Sequence, residues 1–306
     1  MPTFCLPWKL AAAFVGYQTV VLAYSMKYFL FFLLLGLPQA LSAHRPLEPL
    51  QIAREFVDTD GWPEMKEHLC CEAEQQAKNQ TLGQQIPARL QRSCQLLQQG
   101  ASTAVVAVEL RDSVSRNDFY LHFAKENDTW KLQAIRSLSM TQLGSPMLKL
   151  LTAMPPAEVA QYNQKHPDAN HDFTVGNLKL WIGADADIID HFTHHQADFQ
   201  KALRLVQARK YFPADTTADN EEAANTDPEI RPLLRKLYIS RVTQQETDCN
   251  SCIKFIIGGR IDNTVGLLYQ PKAAEVPKMN PDRLIVVRTI SKGWYLYKTT
   301  SGNNRQ

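Results

Sequence analysis

Ten residues without a charge, Tyr28–Leu37, follow Lys27 directly, and this run constrains the chain more than any other stretch. Pro38 then breaks the helix, and small residues follow at Ala40, Ser42 and Ala43. A cation, an apolar core and a small-residue end, in that order, read residues 26–43 as a secretory signal peptide. The apolar part is short of the roughly 20 residues that span a bilayer. Cleavage is expected after Ala43 or Ser42, which places the remainder in the periplasm or outside the cell. Residues 1–25 admit two readings. Either Met26 is the true start and they are a non-native extension, or the apolar run from Leu10 onward is a long signal or an anchor. The signal is complete from Met26 alone, which favours the first. Contact with a membrane is then expected only through an uncleaved leader.

Removing the leader changes the charge argument. Residues 1–43 hold Lys9 and Lys27 and no acid, so 31 basic residues remain against 31 acidic ones. A neutral chain carries no basic field to hold phosphates, which excludes nucleic acid as the main partner. Five cysteines survive: Cys70, Cys71, Cys94, Cys249 and Cys252. In an oxidising compartment an odd count implies two bridges and one leftover thiol. On a helix, Cys70 flanks the apolar face of Trp62, Met65, Leu69 and Ala73, while Cys94 continues the stripe Leu82, Ile86, Leu90. Cys70–Cys94 is therefore the expected first bridge, with Cys71 left over; buried thiols are the alternative.

In chain order, Leu50–Val57 reads as a short helix, and Asp58–Pro63 (DTDGWP) as a turn whose proline opens a second helix to about Lys78. A third helix is expected from Leu82 to Gln98. The period then changes. Thr103–Arg111, Phe119–Lys125 and Trp130–Leu138 read as three antiparallel strands, the last two joined by the turn Glu126–Thr129. Residues 141–172 hold a further helix, broken at Pro155-Pro156, and a polar linker. Residues 173–300 form a second unit, with a helix over Asp185–Gln207 whose stripe is Ile188, Phe192, His195, Phe199, Leu203 and Val206. An acidic flexible loop at 212–229, a short helix at 228–237 and five strands follow. They lie near 238–243, 253–257, 265–269, 284–290 and 294–299. The expected class is α+β, two domains, each with helices packed on an antiparallel meander.

Helices first, then long strands with a Trp opening the last one (NDTWKLQAI), make residues 47–140 resemble the nuclear-transport-factor-like superfamily of cone-shaped domains. Domains of that shape serve as binding proteins, multimerisation modules and a few enzymes, so the resemblance implies a pocket and nothing more. Residues 180–300, with DADIIDHFTHHQADFQKAL, resemble domains of uncharacterised bacterial secreted proteins, which carry no assigned chemistry.

Candidate chemistry is sparse. Trp62, Tyr120, His122 and Trp130 are the expected pocket residues of the first domain. Strand alternation puts Tyr120 and His122 on one face, and Phe119, Leu121 and Phe123 on the other. Cys249-Asn250-Ser251-Cys252 has thiol–disulfide spacing, but it lies between strands and not at a helix start, so a structural bridge is favoured over a redox or metal site. Asp187, His191, His194 and Asp198 share one helical face at metal-ligand spacing, with a solvated face as the plainer explanation. Asp58 and Asp60 read as turn chemistry. Gly258-Gly259 precedes no helix and cradles no phosphate. No G-x-S-x-G nucleophile is present, and no cofactor motif. Asn79 and Asn127 open glycosylation sequons, relevant only in a eukaryotic host.

The expected function is therefore a non-enzymatic exported protein binding a protein partner or a small apolar ligand. A hydrolase or isomerase using the first-domain pocket, an immunity-type inhibitor of a secreted toxin and an envelope thiol–disulfide protein are the alternatives. The hydrolase or isomerase reading requires a His or an acid deep in the cavity with a shifted pKa.

Overall fold

The computed structural model describes residues 46–113, 116–138, 141–212, 220–244, 249–260 and 263–300. The leader expected at 26–43, the extension expected at 1–25 and the acidic stretch 213–219 lie outside them. The fold is α+β, with two antiparallel sheets of four and five strands.

Helix α1 (Pro49–Val57) buries Ile52, Ala53, Phe56 and Val57, the stripe its 3.6-residue period supplies. The helix expected from Pro63 to Lys78 is divided. A 3-10 turn at Met65–His68 gives way to an extended Leu69, which bridges in parallel to Leu132, and α2 (Cys71–Ala77) begins beyond it. The Cys70 N–H donates to the Leu132 carbonyl at 3.0 Å, so pairing with the sheet overrides helix continuity here.

The helix expected over Leu82–Gln98 survives only as α3 (Leu82–Gln85). Ile86 is extended before Pro87, as the proline ring requires of its predecessor. The chain then enters a strand, β1 (Gln91–Gln99). The apolar residues Leu82, Ile86, Leu90 and Cys94 recur at steps of four, and such steps satisfy a period of two as well as one of 3.6. The first sheet accordingly has four strands in the order β1, β2 (Thr103–Arg111), β3 (Arg116–Glu126), β4 (Thr129–Arg136). Asn127 and Asp128, both at positive φ (47° and 61°), close the β3–β4 hairpin as a two-residue turn.

Both faces of this sheet are buried. Ala104, Val106, Val108, Phe119, Leu121 and Phe123 pack with α1 and α2. Val105, Ala107 and Tyr120 join the core of the second sheet instead. The residues from Leu47 onward form one compact unit, whose two sheets share that second core.

Helices α4 (Thr141–Thr152), α5 (Pro156–Lys165) and α6 (His171–Ile182) follow, with Pro156 at the start of α5. The single helix expected over Asp185–Gln207 is two, α7 (Asp185–His194) and α8 (Gln196–Ala208), broken at His195. Their stripe still holds: Ile188, Phe192, Phe199, Leu203 and Val206 are buried, and Phe192 and Phe199 lie 5.2 and 5.9 Å from the Trp294 ring. His195 is half-buried, its ring 4.6 Å from that of His191.

The described part of the acidic segment is ordered structure, not a loop. α9 (Glu221–Thr226) and α10 (Ile230–Lys236) flank Asp227, which is buried and paired with Arg209. The second sheet runs β5 (Arg241–Thr243), β6 (Ile253–Arg260), β7 (Asn263–Tyr269), β9 (Trp294–Thr299), β8 (Leu284–Ser291). The last strand therefore inserts between β7 and β8. Gly258 backs onto the Trp181 ring, where a Cβ would stand 3.0 Å away, a close approach that explains glycine in a strand.

Candidate functional site

A cavity of about 390 Å³ opens at one end of the first sheet, lined from both of its faces and by Lys298 of the second sheet. Its apolar wall comes from Leu82, Ile86, Leu110, Phe119, Ile135 and Leu138. Its polar end comes from Asn117 and Asp118 on β3, Ser137 after β4, and Lys298 on β9. The link between α6 and α7, Ile182 and Gly183, closes one side.

Local chemistry sets the polar end. Gly183 ends α6, and Asp187 folds back to accept the Ala184 N–H at 3.0 Å. The next N–H, of Asp185, donates to Asp118 Oδ2 at 2.5 Å. Asp185 itself is 1% exposed, so its charge needs partners. Lys298 Nζ stands 2.8 Å from Oδ1, the Tyr120 hydroxyl donates to the same oxygen at 2.8 Å, and Arg288 reaches Oδ2 at 3.3 Å. Arg288 also donates to Gln95 at 2.7 Å, and Lys298 lies 5.5 Å over the Tyr120 ring.

These contacts push the two carboxyls apart. Burial alone would raise Asp185, but Lys298, Tyr120 and Arg288 outweigh it and hold the carboxyl below its ordinary range. Asp118 gains no such shell. Burial, then the Asp185 charge, raise it to about 6 against a partial offset from Lys298. Tyr120 is held protonated by burial and by both carboxylates. The site thus presents one fixed anion, its cation, and one carboxyl that titrates near neutrality, at the end of an apolar chamber.

The four expected pocket residues do not meet. Tyr120 lines the cavity. His122 shares its face but is 2% exposed; burial and the Arg136 charge push it down to about 3, and Ile285 supplies a backbone hydrogen bond. Trp62 and Trp130 belong to the opposite core: Trp62 stacks on His68 at 4.9 Å, and Trp130 is buried under Lys125. Of the four only Tyr120 lines the cavity, although its wall draws Leu82, Ile86, Leu110, Phe119 and Ile135 from the same core as the two tryptophans.

The expected metal ligands are spent elsewhere. His191 Nε2 pairs with the Leu237 carbonyl at 3.0 Å, His194 Nδ1 with the Asp190 carbonyl at 2.6 Å, and Asp198 with Lys236 at 2.7 Å. Asp58 accepts the Asp60 N–H at 3.0 Å, which is turn chemistry.

Cys249 and Cys252 form a disulfide, Cα atoms 5.4 Å apart, both residues buried and with Gln270 Nε2 beside their sulfurs at 3.5 and 3.8 Å. The expected Cys70–Cys94 bridge is not present. Both are free thiols, because Cys94 sits on a strand and Cys70 Sγ turns to Cys71 Sγ. Burial first, then Cys71 and Glu126, push the Cys70 thiol up to about 12, and burial raises Cys94 to about 11.

Asp118, Asp185, Arg288 and Lys298 escaped the sequence reading. One signal was present: in WYLYK the period of two sets Lys298 on the face of Trp294 and Leu296, and a lysine on an inward face requires an anion.

Compared with known proteins, the chain matches no family model, no curated protein and no solved structure. Among the described residues no helix is long and apolar enough to cross a membrane.

Proposed function

We propose that the chain is an exported, non-enzymatic binding protein, periplasmic or secreted, that holds a small ligand with an apolar body in the cavity at the end of its first sheet. One observation carries the reading. The chamber is walled by Leu82, Ile86, Leu110, Ile135 and Leu138 and ends in a few convergent polar groups, the composition of a small-molecule site. At neutral pH a largely ionised Asp118 accepts hydrogen bonds, so the ligand carries a donor, an amine or hydroxyl, at one end. The nuclear-transport-factor-like resemblance of residues 47–140, which implies a pocket, supports the same reading.

The test uses protein isolated from its host and the neutral apolar dye N-phenyl-1-naphthylamine. Saturable fluorescence that Ile135→Trp abolishes while circular dichroism is unchanged is the expected result. Dye binding untouched by that substitution would remove the cavity from the argument. Sequencing the first residues of the same preparation tests export, and a start at His44 or Ala43 is expected.

A second reading rests on a different fact. An acid in the cavity with a raised pKa is what a hydrolase or isomerase of this pocket requires, and Asp118 at about 6 suits a general base. Turnover of an ester or an enolisable ketone that Asp118→Asn abolishes would favour it over simple binding.

A further inference from the structure

A second site is built at the hairpin end of the first sheet, and it stands apart from the cavity. Cys70 Sγ and Cys71 Sγ lie 2.9 Å apart, and with a Glu126 carboxylate oxygen they form a cluster within 4.8 Å. Adjacent side chains in extended backbone point to opposite sides. Here Cys70 is extended (φ −149°, ψ 171°) but Cys71 adopts φ 59°, and this left-handed step brings the two sulfurs together. A non-glycine residue in that region is disfavoured and persists only where its surroundings impose it.

The other two donors of the cluster are fixed from two directions. Cys70 is anchored by its N–H on the Leu132 carbonyl at 3.0 Å, with Leu69 bridged to Leu132 on β4. Glu126 ends β3 and pairs across the hairpin with Thr129. All three donors are thus fixed to one pair of strands, while Cys71 and Glu126 face solvent. The carboxylate has a loose cation, Lys131 Nζ at 3.8 Å, on a half-exposed pair that an incoming metal displaces at little cost.

We infer that Cys70, Cys71 and Glu126 bind a borderline-soft divalent cation of the zinc and cadmium class. Two sulfurs and one oxygen match that class, and hard magnesium or calcium, which require oxygen donors, do not fit. Three protein ligands leave a fourth tetrahedral position to water, reachable from solvent beside Cys71. Binding forms two metal–sulfur bonds and one metal–oxygen bond, and the two thiol protons go to solvent.

The experiment titrates the full protein from its host, kept under mild reductant, with Cd²⁺ and follows the sulfur-to-cadmium charge-transfer band in the ultraviolet. One equivalent is expected to saturate the band, and Zn²⁺ to displace it. Cys71→Ser should abolish it. Glu126→Gln should weaken binding by at least the factor seen for outer partners of metal ligands, about 10–100-fold. Cys94→Ser, outside the cluster, should change nothing. The absence of a band would overturn the assignment. A band that survives Cys71→Ser would do the same, because it would arise from another thiol pair. So would a Cys70–Cys71 disulfide in protein freshly isolated without reductant, seen as a peptide lighter by two hydrogens, since the pair would then serve redox closure and not a metal.

Discussion

Two buried aspartates in this molecule are held by the same chemistry and put to different uses. Asp185 and Asp227 are 1% and 4% exposed, and each accepts a tyrosine hydroxyl, from Tyr120 at 2.8 Å and Tyr211 at 2.6 Å. Each has an arginine, and each carboxyl is held below its ordinary range against the opposing effect of burial. Asp227 draws its partners from a shorter span of chain: Arg209 and Tyr211, 18 and 16 residues earlier, and the N–H groups of Glu229 and Ile230, at 2.8 and 3.0 Å, just after. It clasps the end of α8 to the start of α10. Asp185 draws its partners from β3, β8 and β9, and its Tyr120 and Lys298 also face the cavity. A clasp drawn from one stretch of chain ties two helix ends together. A cluster assembled across two sheets fixes their spacing, and it is the one with empty space beside it.

The largest expected effect breaks or keeps that contrast. Lys298→Met leaves Asp185 buried with its nearest cation gone, and removing one partner of such a pair costs about 3–5 kcal/mol. Urea unfolding should show this loss, and the double variant with Asp185→Asn should recover part of it. Arg209→Met should cost clearly less, because the partly exposed Arg209 is screened by solvent and Asp227 keeps the Tyr211 hydroxyl and the Glu229 and Ile230 N–H groups. Equal losses would mean the two clusters do not differ.

Next in size is an acid effect confined to the shared core. His122 has its folded pKa depressed from 6.5 to about 3, so the folded state binds fewer protons than the unfolded chain between those values. Its contribution is complete above the unfolded pKa and is lost as pH falls toward 3, amounting to a few kcal/mol. His122→Leu should flatten the stability curve over that interval. At the local clasp, Asp227→Ala should cost about 1–2 kcal/mol, the range for losing a helix cap, with no dependence on the state of the cavity.

How much of this was legible depends on the range of the contacts. The α+β class, the β2–β3–β4 order, the Asn127-Asp128 turn and the stripe from Ile188 to Val206 are local patterns, readable from the chain alone. The expected strands near 284–290 and 294–299 form a hairpin in which Ser291 pairs with Trp294 and the loop is Lys292-Gly293. The stretch Leu82–Cys94 reads as one helix because its apolar residues recur at steps of four, and only the pairing of β1 with β2 shows where helix gives way to strand. Tyr120 is a candidate from strand alternation, yet its partners Asp185, Arg288 and Lys298 come from three distant segments, which no spacing rule connects. In the sequence Asp227 is one more member of a solvated acidic run, since a run of acids does not show which member the chain folds over.

The smallest expected effect discriminates best between the two aspartate clusters. Asp118, beside Asp185, has its folded pKa raised from 3.8 to about 6 by burial and by the Asp185 charge, with Glu109 adding to the rise and Lys298 opposing it. The folded state therefore keeps a proton that the unfolded chain has lost. That contribution is complete below 3.8 and disappears as pH rises through about 6, the opposite direction to His122. The two slopes overlap in the wild type, so the informative quantity is the difference from Asp118→Asn, which cannot ionise but keeps an oxygen for the Asp185 N–H. The variant should gain on the wild type between pH about 4 and 7 by roughly 1 kcal/mol once solvent screening is allowed for, then run parallel above it. Dye binding in the cavity should show an inflection near pH 6 in the wild type and none in Asp118→Asn. Asp227→Asn, whose carboxyl already lies below its ordinary range, should leave that inflection in place. An inflection lost in both variants would mean that the clasp and the cavity titrate as one unit.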